Sequence, residues 1–156
     1  MDALFQTQSN ELSTTTQKEK LFKDAERQWN TLSTEKGAPG RKVDFEIYKS
    51  ILYNLEIRKV YLDSKLSLEK FSSIVGTNTT YLSNVVNHYF KCNYKHLLNK
   101  YRIRYAKQLI SNEVYSPNEL YKPCGFSSRS AFYAAFKKIM RVSPLYYQKY
   151  YKDKQI

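Results

Sequence analysis

Residues 124–138 read CGFSSRSAFYAAFKK. A Gly-Phe corner, Gly125-Phe126, precedes three serines set around one arginine. Phe132, Ala135 and Phe136 then recur at helical spacing, and Lys137-Lys138 close the stretch. Glycine supplies the left-handed exit from one helix, and a serine just ahead of a periodic run accepts from the first amides of the next. The stretch therefore predicts a tight turn between two helices, with Ser128 capping the second. With Phe132, Ala135 and Phe136 turned inward, Arg129, Ser130, Tyr133, Ala134 and Lys137 face outward.

Working upstream, the same grammar repeats. Ser67 is expected to cap a short helix through Val75, with Gly76 as its exit, and Asn78 to cap another in which Tyr81, Leu82, Val85, Val86 and Tyr89 point one way. Asn93 caps a long helix to about Asn112, roughly 30 Å at 1.5 Å per residue. Ser116-Pro117-Asn118-Glu119 reads as a capping box with proline at the first helical position, and Ser143-Pro144 opens a last helix. Phe71 pairs with Leu120 and Gly76 with Gly125 at an offset of 49; Asn78, Val86 and Asn93 pair with Ser128, Phe136 and Ser143 at 50. One residue inserted in the second turn reconciles the two offsets. Each copy is a short helix, a glycine turn and a longer capped helix, the outline of a helix-turn-helix. Before the first copy, Asp44 is placed as the cap of a helix whose apolar face is Phe45, Tyr48, Ile51, Leu52, Leu55 and Val60. No segment from Val43 on alternates as a strand does, so the predicted fold is all-α, with about seven helices.

The first 42 residues differ in character. MDALFQTQSNELSTTTQ is polar and aperiodic, and reads as poorly ordered or as a linker. Leu21, Phe22, Ala25, Trp29 and Leu32 then form one short helical stripe before STEKGAPGRK breaks the pattern, and the domain boundary is placed there, at 42/43. This segment is expected to add little to the core. It carries seven basic and six acidic side chains, whereas the chain as a whole holds 26 Lys and Arg against 14 Asp and Glu, a net charge of +12. Residues 43–156 thus keep 26 − 7 = 19 basic and 14 − 6 = 8 acidic groups, a net of +11. Such a balance points to a polyanionic partner, nucleic acid or an acidic membrane surface. Two cysteines make no disulfide framework, and no apolar run approaches the roughly 20 residues of a membrane span. A cytoplasmic protein without cofactor is expected.

These residues resemble the DNA-binding domain of AraC/XylS-type transcription regulators. Gly125-Phe126, Ser130, Phe132, Phe136-Lys137-Lys138 and Ser143-Pro144 are similar to the signature of that family's second helix-turn-helix. LSLEKFSSIVGTNTTYLSNVV and YRIRYAKQLI, with Arg102, Ile103, Ala106 and Leu109, are similar to its first unit and connecting helix. The resemblance covers residues 44 to about 150. It implies two helix-turn-helix subdomains, about 67–90 and about 116–140, joined by a connecting helix over about 93–112, with double-stranded DNA and RNA polymerase as partners. The chain departs from the pattern at Lys91 and Arg141, where glycine is usual, and at Tyr121, where a small alanine is usual. No separate ligand-binding domain is evident in the 42 residues ahead, so a stand-alone regulator and a part of a longer chain both remain open.

In a helix-turn-helix the second helix enters the major groove, and successive grooves on one face lie about 34 Å apart. Outward residues of 78–90 then become candidates for DNA. Thr79, Thr80, Ser83 and Asn84 are placed at base edges, Asn84 with the geometry for adenine, while Asn78 and Asn87 are placed at phosphates. In the second copy Arg129, Ser130 and Tyr133 are the base candidates, Arg129 with the fork that suits guanine. Ser128, Lys137 and Lys138 are the phosphate candidates, the serine through the helix N-terminal amides. The plain alternative for the serines is capping and turn formation alone. Pro123, seven residues inside the box-capped segment, removes an amide donor, which leaves a protein-interaction module as the alternative function. His88, Cys92 and His96 stand four apart, but Asn93 as a cap interrupts the helix that would align them as metal ligands. No catalytic set is apparent.

Overall fold

The computed structural model describes residues 2–35, 42–113 and 115–151, with side chains over 16–32, 42–113 and 115–151. Seven α-helices occur among them: α1 (Asp2–Glu35), α2 (Lys42–Glu56), α3 (Leu68–Val75), α4 (Thr79–Val85), α5 (Tyr94–Ser111), α6 (Arg129–Met140) and α7 (Pro144–Tyr151). No strand is present among the described residues. The chain divides into two compact units. The first takes the residues up to Lys59 with Leu68–Lys91, and the second takes Val60–Ser67 with the residues from Cys92 on.

In the first unit, α1 packs along α2. Ala25 and Trp29 are buried, and the Trp29 ring lies 5.5 Å from Phe45, 5.6 Å from Tyr48 and 4.3 Å from Tyr89. The Tyr48 hydroxyl adds a 3.0 Å bond to Gln28 Oε1. The stripe expected to add little therefore belongs to this core. Residues 36–41, with the Gly37-Ala38-Pro39-Gly40 break, lie outside the described residues, while the expected boundary at 42/43 falls at the first residues of α2. Asp44 sits inside the first turn of α2 and not ahead of it, because the helix already starts at Lys42. Val60 leaves the α2 stripe for a 3₁₀ turn, Val60–Leu62, that belongs to the second unit. Two buried polar groups are satisfied locally: Asn54 Nδ2 donates to the Ser50 carbonyl at 2.9 Å, and Ser72 Oγ donates to the Glu69 carbonyl at 2.7 Å.

The second unit closes on Ile103, Ala106, Ile110, Leu120, Cys124, Phe126, Phe132, Ala135, Phe136 and Tyr147. Arg102 fastens the Val60–Leu62 turn to it: Nε donates to the Tyr61 carbonyl at 2.7 Å and Nη2 to the Asp63 carbonyl at 3.1 Å. Burial lowers the Arg102 pKa from its usual value, which the neighbouring Tyr94 and Asp63 partly offset. The capping box at Ser116 does not form. Pro117–Glu119 is a single 3₁₀ turn without a side-chain cap bond, followed by turn residues to Gly125. Pro123 has no N–H to offer the Glu119 carbonyl, so that α-type bond is missing, and the one that follows it, from the Cys124 amide to the Leu120 carbonyl at 3.2 Å, stands alone in the turn.

Candidate nucleic-acid interface

The two copies of the repeat share one turn geometry. In the first, the Thr77 amide donates to the Ser72 carbonyl at 2.9 Å and the Gly76 amide to Ser73 at 3.2 Å. In the second, Phe126 donates to Tyr121 at 2.8 Å and Gly125 to Lys122 at 3.0 Å. Every donor and acceptor is shifted by 49 residues. Both glycines are left-handed, with φ of 91° and 90°. Their surroundings differ: a Cβ on Gly76 would meet nothing within 4 Å, while a Cβ on Gly125 would collide with the Tyr61 carbonyl oxygen.

After each turn comes a side-chain cap. Asn78 Oδ1 accepts from the Tyr81 amide at 2.9 Å, and Ser128 Oγ accepts from the Ala131 amide at 3.1 Å. The buried stripe of α4 is Leu82 and Val85, continued by Val86; that of α6 is Phe132, Ala135 and Phe136. These faces fix which residues look outward. On α4, Thr80 and Asn84 are exposed, as are the cap Asn78 and, beyond the helix end, Asn87; Thr79 and Ser83 are half-buried. On α6, Arg129, Ser130, Lys137 and Lys138 are exposed together with the cap Ser128.

Two candidate positions need correction. Tyr81, expected inward, is 42% exposed, because Leu82 and Val85 suffice to seat so short a helix. Tyr133, expected outward, is half-buried against the second core, and its hydroxyl donates to Asn118 Oδ1 at 2.7 Å. The end of α4 also differs from a regular helix: Val86–Phe90 form a π turn. The wider turn lets two consecutive rings reach Tyr48, Tyr89 at 6.1 Å and Phe90 at 5.1 Å. Such insertions cluster at functional sites.

Lys91 and Arg141 end the paired helical segments in the left-handed conformation, φ 59° and 65°, and both are exposed. They occupy the positions where the resemblance leads one to expect glycine. Each sets a cation beside the carbonyl end of a helix, where the dipole favours it. Their offset of 50 is visible in the sequence, but it did not mark them as surface charges. The interruption foreseen at Asn93 is present: its Oδ1 accepts from the His96 amide at 2.8 Å, so α5 starts anew after His88 and Cys92.

Comparison with known proteins follows this geometry. A family profile described as a helix-turn-helix domain matches residues 71–150. The C-terminal domain of AraT, a response regulator from Geobacillus stearothermophilus, is similar at 28% identity over 67% of this chain and 84% of its own, with a TM-score of 0.59. The C-terminal domain of the two-component response regulator yesN from Fusobacterium nucleatum is similar at 26% identity over 63% and 95%, with a TM-score of 0.56. An AraC-type transcriptional regulator from Chromobacterium violaceum, 18% identical over 64% and 89% with a TM-score of 0.57, shares the fold. No curated protein sequence matches the chain. With a profile spanning half of its residues and a repeat built twice to one plan, the chain belongs to the AraC-type helix-turn-helix family.

Proposed function

We propose that this protein is a sequence-specific, double-stranded DNA-binding transcription regulator whose α4 and α6 each enter a major groove. RNA polymerase is its protein partner in the cytoplasm. The observation that carries the reading is the duplicated unit itself, in which a glycine turn and a side-chain cap present a short helix with a polar or basic outer face. The regulators to which the chain is similar support it. On α4 the outer face is uncharged, with Thr80 and Asn84 suited to adenine and thymine edges. On α6, Arg129 stands at the helix start, where groove-inserted helices read bases. Lys137 and Lys138 stand more than two turns later, at the level of the phosphates. Exposed Tyr81 adds an apolar ring to the first face, and Lys91 and Arg141 add charge at the helix ends.

Arg129→Ala and Lys137→Ala separate the two roles. Loss of a bidentate base contact should cost about 1–3 kcal/mol on a selected site and relax the choice at one base pair. Loss of a phosphate contact should weaken specific and scrambled duplexes alike and reduce the salt slope by about one contact. Equal losses on both duplexes for Arg129→Ala would move it to the backbone. A second reading, a protein-interaction module, is favoured by the single 3₁₀ turn that stands where the second unit's first helix was expected. Absence of duplex binding that weakens steeply between 50 and 200 mM salt, with no duplex bound even at 50 mM, would select it.

A further inference from the structure

Along α5, Lys95, Asn99 and Arg102 follow one another at four and three residues, which sets them on one face. Along α6, Ala131, Ala134 and Lys138 do the same at three and four. The two rows face each other across an open cleft of about 370 Å³ in the second unit, completed by Ser64, Phe126 and Ser127. No carboxylate is among its lining residues, and the alanines leave the floor clear. Arg102 is held there by the Tyr61 and Asp63 carbonyls, so two of its donors, on Nε and Nη2, are turned onto backbone. What the cleft offers is the charge of three cations, two of them lysines, with amide and hydroxyl donors beside them. Lysines bind phosphate as point charges.

We infer that this cleft is a phosphate site, with Lys95 and Asn99 of α5 acting together with Lys138 of α6 on one phosphoryl group. The inference rests in part on the DNA reading, in which the phosphate is one of the duplex backbone; a free phosphorylated ligand would present the same chemistry. Lys95 and Asn99 are new to the interface, since they lie outside both recognition helices. The local field agrees. Burial first, then Lys100 and Lys138, lowers the His96 pKa from its usual value.

The full chain, Lys95→Gln, Asn99→Asp and Lys107→Gln would be titrated with a scrambled duplex at 50–200 mM salt. In parallel, backbone amide resonances of residues 95, 99 and 127 would be followed with inorganic pyrophosphate. Lys107 lies on α5 beside Arg104 and away from the cleft, and serves as control. Lys95→Gln should reduce the slope of log K against log salt by about 0.9, so that binding falls roughly 3.5-fold less over this range. Asn99→Asp should weaken binding at least as much, and Lys107→Gln should leave the slope unchanged. If Lys95→Gln and Asn99→Asp leave the slope intact and pyrophosphate moves none of the three amides, the cleft is not a phosphate site and the DNA reading stands. An equal loss for Lys107→Gln would mean a diffuse positive surface and overturn the site as well. If the parent chain binds no duplex but pyrophosphate moves the amides and Lys95→Gln abolishes the movement, the site stands for a free ligand and the DNA reading falls.

Discussion

Replacing the two equivalent glycines by alanine isolates packing from backbone conformation. Gly76 and Gly125 share a φ of about 90° and the same pair of turn bonds, so the backbone cost is common to both. Holding an L-residue left-handed costs about 1–2 kcal/mol, of which about 0.4–1 is recovered because alanine is stiffer than glycine in the unfolded chain. For Gly76→Ala nothing further is added, since no atom lies within 4 Å of the new methyl. A net loss of ~1 kcal/mol is expected. For Gly125→Ala the methyl overlaps the Tyr61 carbonyl and crowds Leu62 Cα at 3.0 Å and Arg102 Nε at 3.1 Å. The Val60–Leu62 turn must then move off Gly125, and the 2.7 Å Arg102 bond to Tyr61 goes with it. A bond from a charged donor contributes about 1.5–3 kcal/mol, which on top of the shared cost brings the expected loss to about 2.5–4 kcal/mol. Urea unfolding followed by circular dichroism measures both. Losses equal to within about 0.5 kcal/mol would refute the steric argument. So would additive losses in an Arg102→Ala, Gly125→Ala cycle, because residues that share a contact should couple.

Trp29→Ala should destabilise the first unit by about 3–5 kcal/mol, the range for emptying a large aromatic site, and a chain beginning at Lys42 should lose at least as much; an unchanged melting temperature would detach α1 from the core. Pro123→Ala should be neutral or lower stability by about 0.4–1 kcal/mol, because the helix already ends before it and only the restriction on the unfolded chain is lost; a clear rise in melting temperature would mean that the helix runs through. Burial pushes the Cys124 thiol from 9.0 up to about 12, so its contribution to stability is complete below pH 9 and declines as pH rises toward 12. In native protein at pH 8 a thiol reagent should reach half-buried Cys92 and leave Cys124 until unfolding; two fast equivalents would contradict this.

The caps and the repeat could be read without a structure, because each rests on bonds spanning only a few residues. Asn78, Asn93 and Ser128 each accept from the amide three positions on, and Gly76 and Gly125 take the left-handed turn that a side chain resists. The inserted residue between Gly125 and Ser128 followed from the same local rules. The capping box at Ser116 shows their limit, since a correct four-residue pattern failed on a proline seven positions downstream. Other features depend on partners far along the chain. Trp29 is buried by Tyr48 and Tyr89, and its stripe alone did not reveal whether anything covered it. Tyr81 was assigned inward by periodicity, yet on a helix as short as α4 two apolar positions fill the contact and a third is left in solvent. Gly76 and Gly125 are indistinguishable in sequence and in φ. Only the return of Tyr61, held by Arg102 from 41 residues away, closes the space over one and leaves the other open. The cleft over Ala131 and Ala134 arises in the same way, because α5 and α6 contribute its two charged rims from separate stretches of chain that only folding brings together.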